Sequence, residues 1–404
     1  MRLLYTLVLH LALPFALLRL WWRGRAEPGY RESLGERFGF YDQDRPERLI
    51  WLHAVSVGEA RAAQPLVRGL AASFPNHQVL MTCTTAAGRD TIRQVYGESV
   101  IAAYLPYDLP WAVQHFLEYF RPRLAILMET EVWPNLVAAC DRNEVPLMLA
   151  NARLSAHSAA GYRRWASLAR PAFTAFRAVC AQSAADAERL RSLGARNVEV
   201  AGSLKFDVEP DESKVAAGRE WRRELGRDVV LLASTREGEE ASLLQQAIDA
   251  LVVVVPRHPR RFDEVAALAQ SRRTRQPRPA IGDRVHLGDT MGEMAFYYGA
   301  CDVAVIGGSF APLGGQNLIE ALAVGAPVIC GPHMFNFSEA TELALQTGAA
   351  VQVADAAAAM REASGLLKDQ DRRRRMGDAG KALCAAHRGA TSRHLQVCRR
   401  LLGL

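Results

Sequence analysis

The chain is predicted to be α/β, with two Rossmann-like domains facing across a cleft, and three observations carry that reading. First, from Pro46 onward short apolar runs alternate with helical segments, the signature of parallel sheets covered by helices on both faces. Second, 404 residues, half of them hydrophobic, exceed one ordinary domain, and the polar stretch Asp207–Glu220 divides the alternation into two similar halves. Third, Val303–Ile306 runs into a loop bearing Gly307, Gly308, Gly314 and Gly315 and then into an amphipathic helical stretch. A strand, a glycine loop and a helix N-terminus offer N–H groups and a positive dipole end to a phosphate.

Taken in order, Leu3–Trp22 is apolar and long enough for a helix crossing a ~30 Å hydrocarbon layer, though His10, Pro14 and Arg19 interrupt it. A membrane anchor, a helix lying in the interface and a core helix are the alternatives. Trp21 and Trp22 beside Arg23 and Arg25 resemble an interfacial belt, and arginine on that side keeps the body in the cytoplasm. Strands follow at Arg48–Val55, Gln78–Cys83, Ser99–Leu105, Leu124–Met128, Pro146–Ala150 and Ala178–Gln182. After the presumed linker come Val229–Ser234, Leu251–Val255, Arg284–Leu287, Val303–Ile306 and Pro327–Cys330, with Ser271–Arg278 as a solvated loop. Helices Ala357–Leu367 and Asp371–Leu401 close the chain. The boundaries predicted are 1–25 for the N-terminal helix, 26–206 for the first domain and 207–404 for the second.

The net charge of +6 and pI near 9 suit anionic substrates or an anionic membrane face. No zinc spacing, RNA-binding aromatic signature or helix-turn-helix pattern supports nucleic acid as a partner. The seven scattered cysteines form no C-x-x-C pair and read as buried thiols in a reducing compartment.

Ligands on parallel sheets gather at the carboxyl ends of the strands, and the candidate residues stand there. Glu59, in HAVSVGE, enters a helix; it is either a general base or a helix-capping carboxylate. Glu129 and Glu131, two apart after the strand LAILM, are expected to point the same way on an extended segment, orienting a base or a ligand, or else serving the loop. Asn151, Arg153 and Ser155 offer an anion contact or a helix cap. Lys205, in GSLKFD, is placed to neutralise a phosphate or is a surface lysine. Pro256 and Arg257 open a proline-stiffened basic loop, and the Met291-Gly292-Glu293 turn adds N–H donors. Asn317 and Glu320 share one face of a first helical turn, where a carboxylate suits ribose hydroxyls.

Together the blocks HAVSVGE, ETEVWPN, NARLS, GSLKFD, PRHPRR, GDTMGEM, GGSFAPLGGQNLIE and GPHMFNF resemble, in order and spacing, the 3-deoxy-D-manno-octulosonic acid (Kdo) transferases. The resemblance runs from about Arg31 past Phe337 and includes the apolar N-terminus. It implies a GT-B glycosyltransferase fold, CMP-Kdo as donor, and a phosphorylated, acylated lipid A precursor as acceptor, used at the cytoplasmic face of the inner membrane. It places the base on Glu59 and transition-state support on Glu129 and Lys205. CMP contacts fall on Pro256, Arg257, Met291, Gly292, Glu293, Asn317, Leu318, Ile319 and Glu320. Where many members have Gly-Gly-His-Asn, this chain has Gly314-Gly315-Gln316-Asn317, and glutamine cannot carry a proton. Chemistry without metal or cofactor is expected, since no Asp-x-Asp box stands out. The alternative is another GT-B transferase, using a UDP-sugar and a different membrane acceptor; a non-catalytic sugar-nucleotide or anionic-lipid binding protein would need no carboxylate at position 59.

Overall fold

The computed structural model describes every residue except Ala26, Asp44 and Val208. It forms two compact units, Met1–Asp207 with Arg388–Leu404, and Val208–His387. Each is built on one seven-stranded sheet in which every strand pair is parallel.

In the first unit the strands are β1 (Leu49–His53), β2 (Gln78–Cys83), β3 (Val100–Tyr104), β4 (Leu124–Met128), β5 (Leu147–Ala152), β6 (Ala178–Ala181) and β7 (Val198–Val200). Their spatial order is β3-β2-β1-β4-β5-β6-β7. Alternate residues feed two cores: Leu49 and Trp51 join one, Ile50 and Leu52 the other. Burial on both faces is why these strands read as continuous apolar runs.

In the second unit the strands are β8 (Val229–Thr235), β9 (Leu251–Pro256), β10 (Ser271–Arg272), β11 (Val285–Leu287), β12 (Val303–Ile306), β13 (Val328–Cys330) and β14 (Ala350–Gln352), ordered β10-β11-β9-β8-β12-β13-β14. After β8 the chain builds outward through β9 to β11 and then returns to the other side of β8 as β12. The order therefore reverses between β8 and β12, where open sheets of this kind bind ligands.

Four expectations need correction. Asp207–Glu220 is not a linker throughout: Asp211 accepts N–H bonds from Ser213 (3.1 Å) and Lys214 (3.3 Å) and caps a helix, Glu212–Leu225. The capping side chain, not the average polarity, decides that segment. Ser271–Arg278 is not simply solvated: Ser271 is buried against His286 Nδ1 at 2.8 Å, and Arg272 and Arg273 are held by Asp289 and Glu293 at 2.6 Å each. The single C-terminal helix breaks at Gly389, whose φ of 91° is left-handed and favours glycine. Finally, the segment after that break, carrying helix Ala390–Leu402, belongs to the first unit and not to the second, with Val397 and Cys398 in the first unit's core.

The N-terminal helix, Arg2–Arg23, contains no buried residue, which removes the core-helix reading. It touches its unit through Tyr5, which donates to Asp108 Oδ2 (3.0 Å), and Thr6, which donates to Asn135 Oδ1 (3.1 Å).

Candidate active site

The candidate side chains stand at the carboxyl edge of each sheet. In the first unit, Ser56 and Glu59 form a reciprocal capping box at the start of helix Val57–Ala62. Ser56 Oγ accepts the Glu59 N–H at 3.2 Å, and the Glu59 carboxylate accepts from Ser56 Oγ at 3.0 Å and from the Val55 N–H at 2.9 Å. The helix-start reading of Glu59 is thus seen directly, and the same carboxylate is the candidate base. Burial first, then the charge of Glu129, raises its pKa to about 7, although the Val55 and Ser56 bonds pull the other way; Glu131 adds to the rise. A carboxyl poised near neutrality is what general-base catalysis asks for.

Glu129 follows β4 in a turn, with φ of 56° and its N–H given to Ala150 at 2.9 Å. The extended geometry expected for Glu129-Thr130-Glu131 is therefore wrong. Left-handed backbone at a non-glycine residue is uncommon and costs roughly 1–3 kcal/mol, so the surrounding structure must hold it. Glu131 accepts from the indole Nε1 of Trp133 at 2.9 Å and is raised by burial, with Glu129 adding to the rise. Lys205 is half-buried on the turn Leu204–Asp207. That turn is fastened to the same edge, because Asn151, at the end of β5, accepts the Leu204 N–H at 3.0 Å. Asn151 itself is fully buried and receives no solvent; its N–H goes to His394 Nε2 at 2.9 Å, so it is a structural tie. Ser155 caps helix Ala156–Arg164.

In the second unit the expected phosphate cradle of glycine N–H groups is largely already taken. Glu239, buried, accepts from Gly308 N (2.7 Å), Phe310 N (3.0 Å) and Arg236 N (2.9 Å). Gly307 N donates to Ala233 O at 2.8 Å and Gly315 N to Gly308 O at 2.7 Å. An internal carboxylate thus fills the loop and fixes its backbone. The following helix, Ile319–Val324, is only six residues long. Ile319 N–H is accepted by Asn317 Oδ1 at 3.0 Å, and the Leu318 and Ile319 side chains are buried, so these two residues shape the loop. Asn317 also donates to Glu320 Oε1 at 2.9 Å, which orients that carboxylate.

Positive charge comes from arginines. Arg257 donates through Nε to Gln316 Oε1 at 3.1 Å, which links the residue after β9 to the glycine loop. Pro256 ends β9 and is buried. Beyond them Arg261 is not a ligand candidate: it forms a buried two-point pair with Glu240 at 2.6 and 3.0 Å. After β11, Met291 and Gly292 are exposed, while Glu293 is engaged by Arg273 at 2.6 Å and by Thr290. Sequence reading passed over the block Ser234–Glu240. Its signal was there: a Gly-Glu-Glu run opening a helix directly after a strand of the same sheet as the other blocks. Among the described residues no three His, Cys, Asp or Glu side chains converge in a metal-holding arrangement.

Residues 32–208 match the family model of 3-deoxy-D-manno-octulosonic-acid transferase (kdotransferase), and residues 280–383 match that of group 1 glycosyl transferases. The 3-deoxy-D-manno-octulosonic acid transferase of Bordetella pertussis is 44% identical, with 99% of each chain covered. That of Haemophilus influenzae is 34% identical, covering 98% of this chain and 97% of its own. Among solved structures, Anabaena HepE in complex with UDP superposes with a TM-score of 0.57 at 17% identity, over 88% of this chain and all of HepE. A glycosyltransferase from Rickettsia africae gives 0.57 at 12% identity, over 89% and 99%.

Proposed function

The chain belongs to the Kdo transferase family of GT-B glycosyltransferases, enzymes of lipopolysaccharide biosynthesis, and on that premise we propose that it moves Kdo from CMP-Kdo to a lipid A precursor with inversion. The second unit binds the CMP-sugar and the first receives the acceptor. Glu59 takes the proton of the acceptor sugar's primary hydroxyl as that oxygen bonds to the anomeric carbon of Kdo. The bond from that carbon to the phosphate oxygen breaks, and the electron pair leaves with CMP. Arg257 stabilises the departing phosphate, and Glu320, held by Asn317, meets the ribose hydroxyls. Lys205 and Glu129 support the transition state, Lys205 through its charge and Glu129 by keeping Glu59 basic. The observation that carries the reading is the Glu59 carboxyl, half-buried and under the charge of Glu129, with its pKa raised to about 7 at a strand's carboxyl edge.

In this scheme guanidinium groups do the work of a metal, and transfer from purified CMP-Kdo proceeds unchanged in EDTA; loss of activity there would refute it. The reaction takes place at the cytoplasmic face of the inner membrane. The test is incubation with a tetra-acylated lipid A precursor and CMP-Kdo generated in place, with product followed by mass. A Kdo mass increment that disappears in Glu59→Gln is expected. A folded enzyme that binds UDP in preference to CMP and gives no increment would move the reading to another GT-B donor.

A further inference from the structure

Arg236 is the first residue past β8, on the strand beside which the second sheet reverses its order. Its backbone is fixed, since its N–H goes to the same buried Glu239 carboxylate that holds Gly308 and Phe310. The stem of its side chain lies against the glycine loop: a β-carbon on Gly308 would sit 3.4 Å from Arg236 Cγ and 3.1 Å from Gln316 Nε2. Glycine at 308, left-handed at φ 66°, therefore leaves room for both side chains. Nε of Arg236 contacts Glu237 at 3.2 Å, but its two terminal amino groups have no hydrogen-bond or ion-pair partner among the described residues.

Its neighbour is Arg257. Thr235 is in register with Pro256, and Arg257 N donates to Thr235 O at 3.0 Å, so the two arginines leave adjacent strands side by side. Arg260 stands close by, since His258 between them is depressed by burial and then by the charges of Arg257, Arg236 and Arg260. The half-exposed Glu237 pairs with Arg236 at 3.2 Å and with Arg260 at 3.6 Å.

We propose that Arg236 binds the carboxylate of the donor sugar, making it the residue that selects an ulosonic acid over an ordinary aldose. The assignment rests on the CMP-Kdo reading above. That donor carries two anions on one carbon, the phosphate oxygen and the carboxylate. Guanidinium groups at the ends of adjacent strands, which run roughly 5 Å apart, match such a pair. Arg257, tied through Gln316 to the loop that leads to Asn317 and Glu320, stands on the nucleotide side and takes the phosphate. Arg236 is left for the planar carboxylate, which its fork fits in two-point fashion.

The test uses the full-length enzyme and two ligands. CMP has the phosphate but no sugar carboxylate; its dissociation constant is measured calorimetrically, alongside KM and kcat for CMP-Kdo. Arg236→Ala should leave CMP binding within about twofold and raise KM for CMP-Kdo by about 10- to 100-fold, the range for losing a charged hydrogen-bond pair. Arg236→Lys should recover part of the loss, and Arg257→Ala should weaken both ligands. Equal weakening of CMP and CMP-Kdo by Arg236→Ala, or no effect on either, overturns the assignment while leaving the donor reading intact. A wild-type enzyme that binds CMP yet transfers no Kdo overturns the donor reading and this assignment with it.

Discussion

Glu59 answers to two demands through one side chain, and they can be separated by substitution. Gln at the same place keeps the Ser-x-x-Glu/Gln capping pattern but cannot accept a proton. Glu59→Gln should therefore bind CMP and melt within a few degrees of wild type while losing about 10²- to 10⁴-fold in kcat. Glu59→Ala should lose activity as well, while Ser56 still caps the helix through the residue-59 N–H. Unimpaired turnover in Glu59→Gln would remove it as the base. The pH dependence follows from the same carboxyl. A base with pKa raised from 4.5 to about 7 is active only when ionised, so kcat/KM should fall about tenfold per pH unit below 7. Between about pH 4.5 and 7 the folded chain holds this proton more tightly than the unfolded one, so the site's contribution to stability falls as pH rises through that window. Burial is the larger cause and Glu129 the second, so Glu129→Gln should move the activity limb to lower pH without returning it to an ordinary carboxylate's range. A limb that stays in place would show that Glu129 does not face the base.

At the scale of elements, most strands were legible because burial on both faces writes them as uninterrupted apolar runs; β4 and β12 were found to the residue. The strands missed, β7, β10 and β14, have two or three residues each and carry polar side chains on sheet margins, where periodicity has nothing to repeat. The site was legible as blocks at strand ends but not as contacts. Nothing in the glycine spacing announces that Glu239, some seventy residues earlier, fills the loop from inside, nor that Glu293 is committed to Arg273. Such pairings are set by topology, which brings distant strand ends together. The buried Glu240–Arg261 pair is of the same kind and braces the loop bearing Arg257 onto helix Glu239–Leu244. Removing Glu240 leaves the buried Arg261 with only the exposed Glu264, at 2.8 Å, a loss of about 1.5–3 kcal/mol for the charged hydrogen bonds that go. Glu240→Ala should therefore lower the urea midpoint strongly and weaken CMP binding. A change in unfolding free energy below about 0.5 kcal/mol would mean that the pair is dispensable.

For the whole molecule, the first twenty-three residues raise the question of what this protein does with so much apolar surface. Helix Arg2–Arg23 has 22 residues, about 33 Å at 1.5 Å per residue, against a hydrocarbon layer of ~30 Å. Leu3, Phe15 and Trp22 are 86%, 75% and 66% exposed, so the outward face of this helix is apolar along its whole length. Soluble proteins seldom leave a patch of this extent open. Arg19, Arg23 and Arg25 with Trp21 and Trp22 then form a basic aromatic end suited to anionic headgroups, and the chain as a whole carries +6. The helix is tied to the first unit through Tyr5 and Thr6, whereas the residues assigned to the donor all lie in 208–387. Deleting residues 2–23 should therefore abolish co-sedimentation with anionic phospholipid vesicles and leave the CMP dissociation constant within about twofold. Turnover should fall for acceptor embedded in vesicles and persist for acceptor dispersed in detergent, since the chemistry of Glu59 does not need the helix. If the shortened protein still sediments with the vesicles, attachment lies elsewhere on the first unit. If CMP affinity falls with the deletion, the helix is part of the folded core after all, against the exposure of every apolar side chain along its outward face.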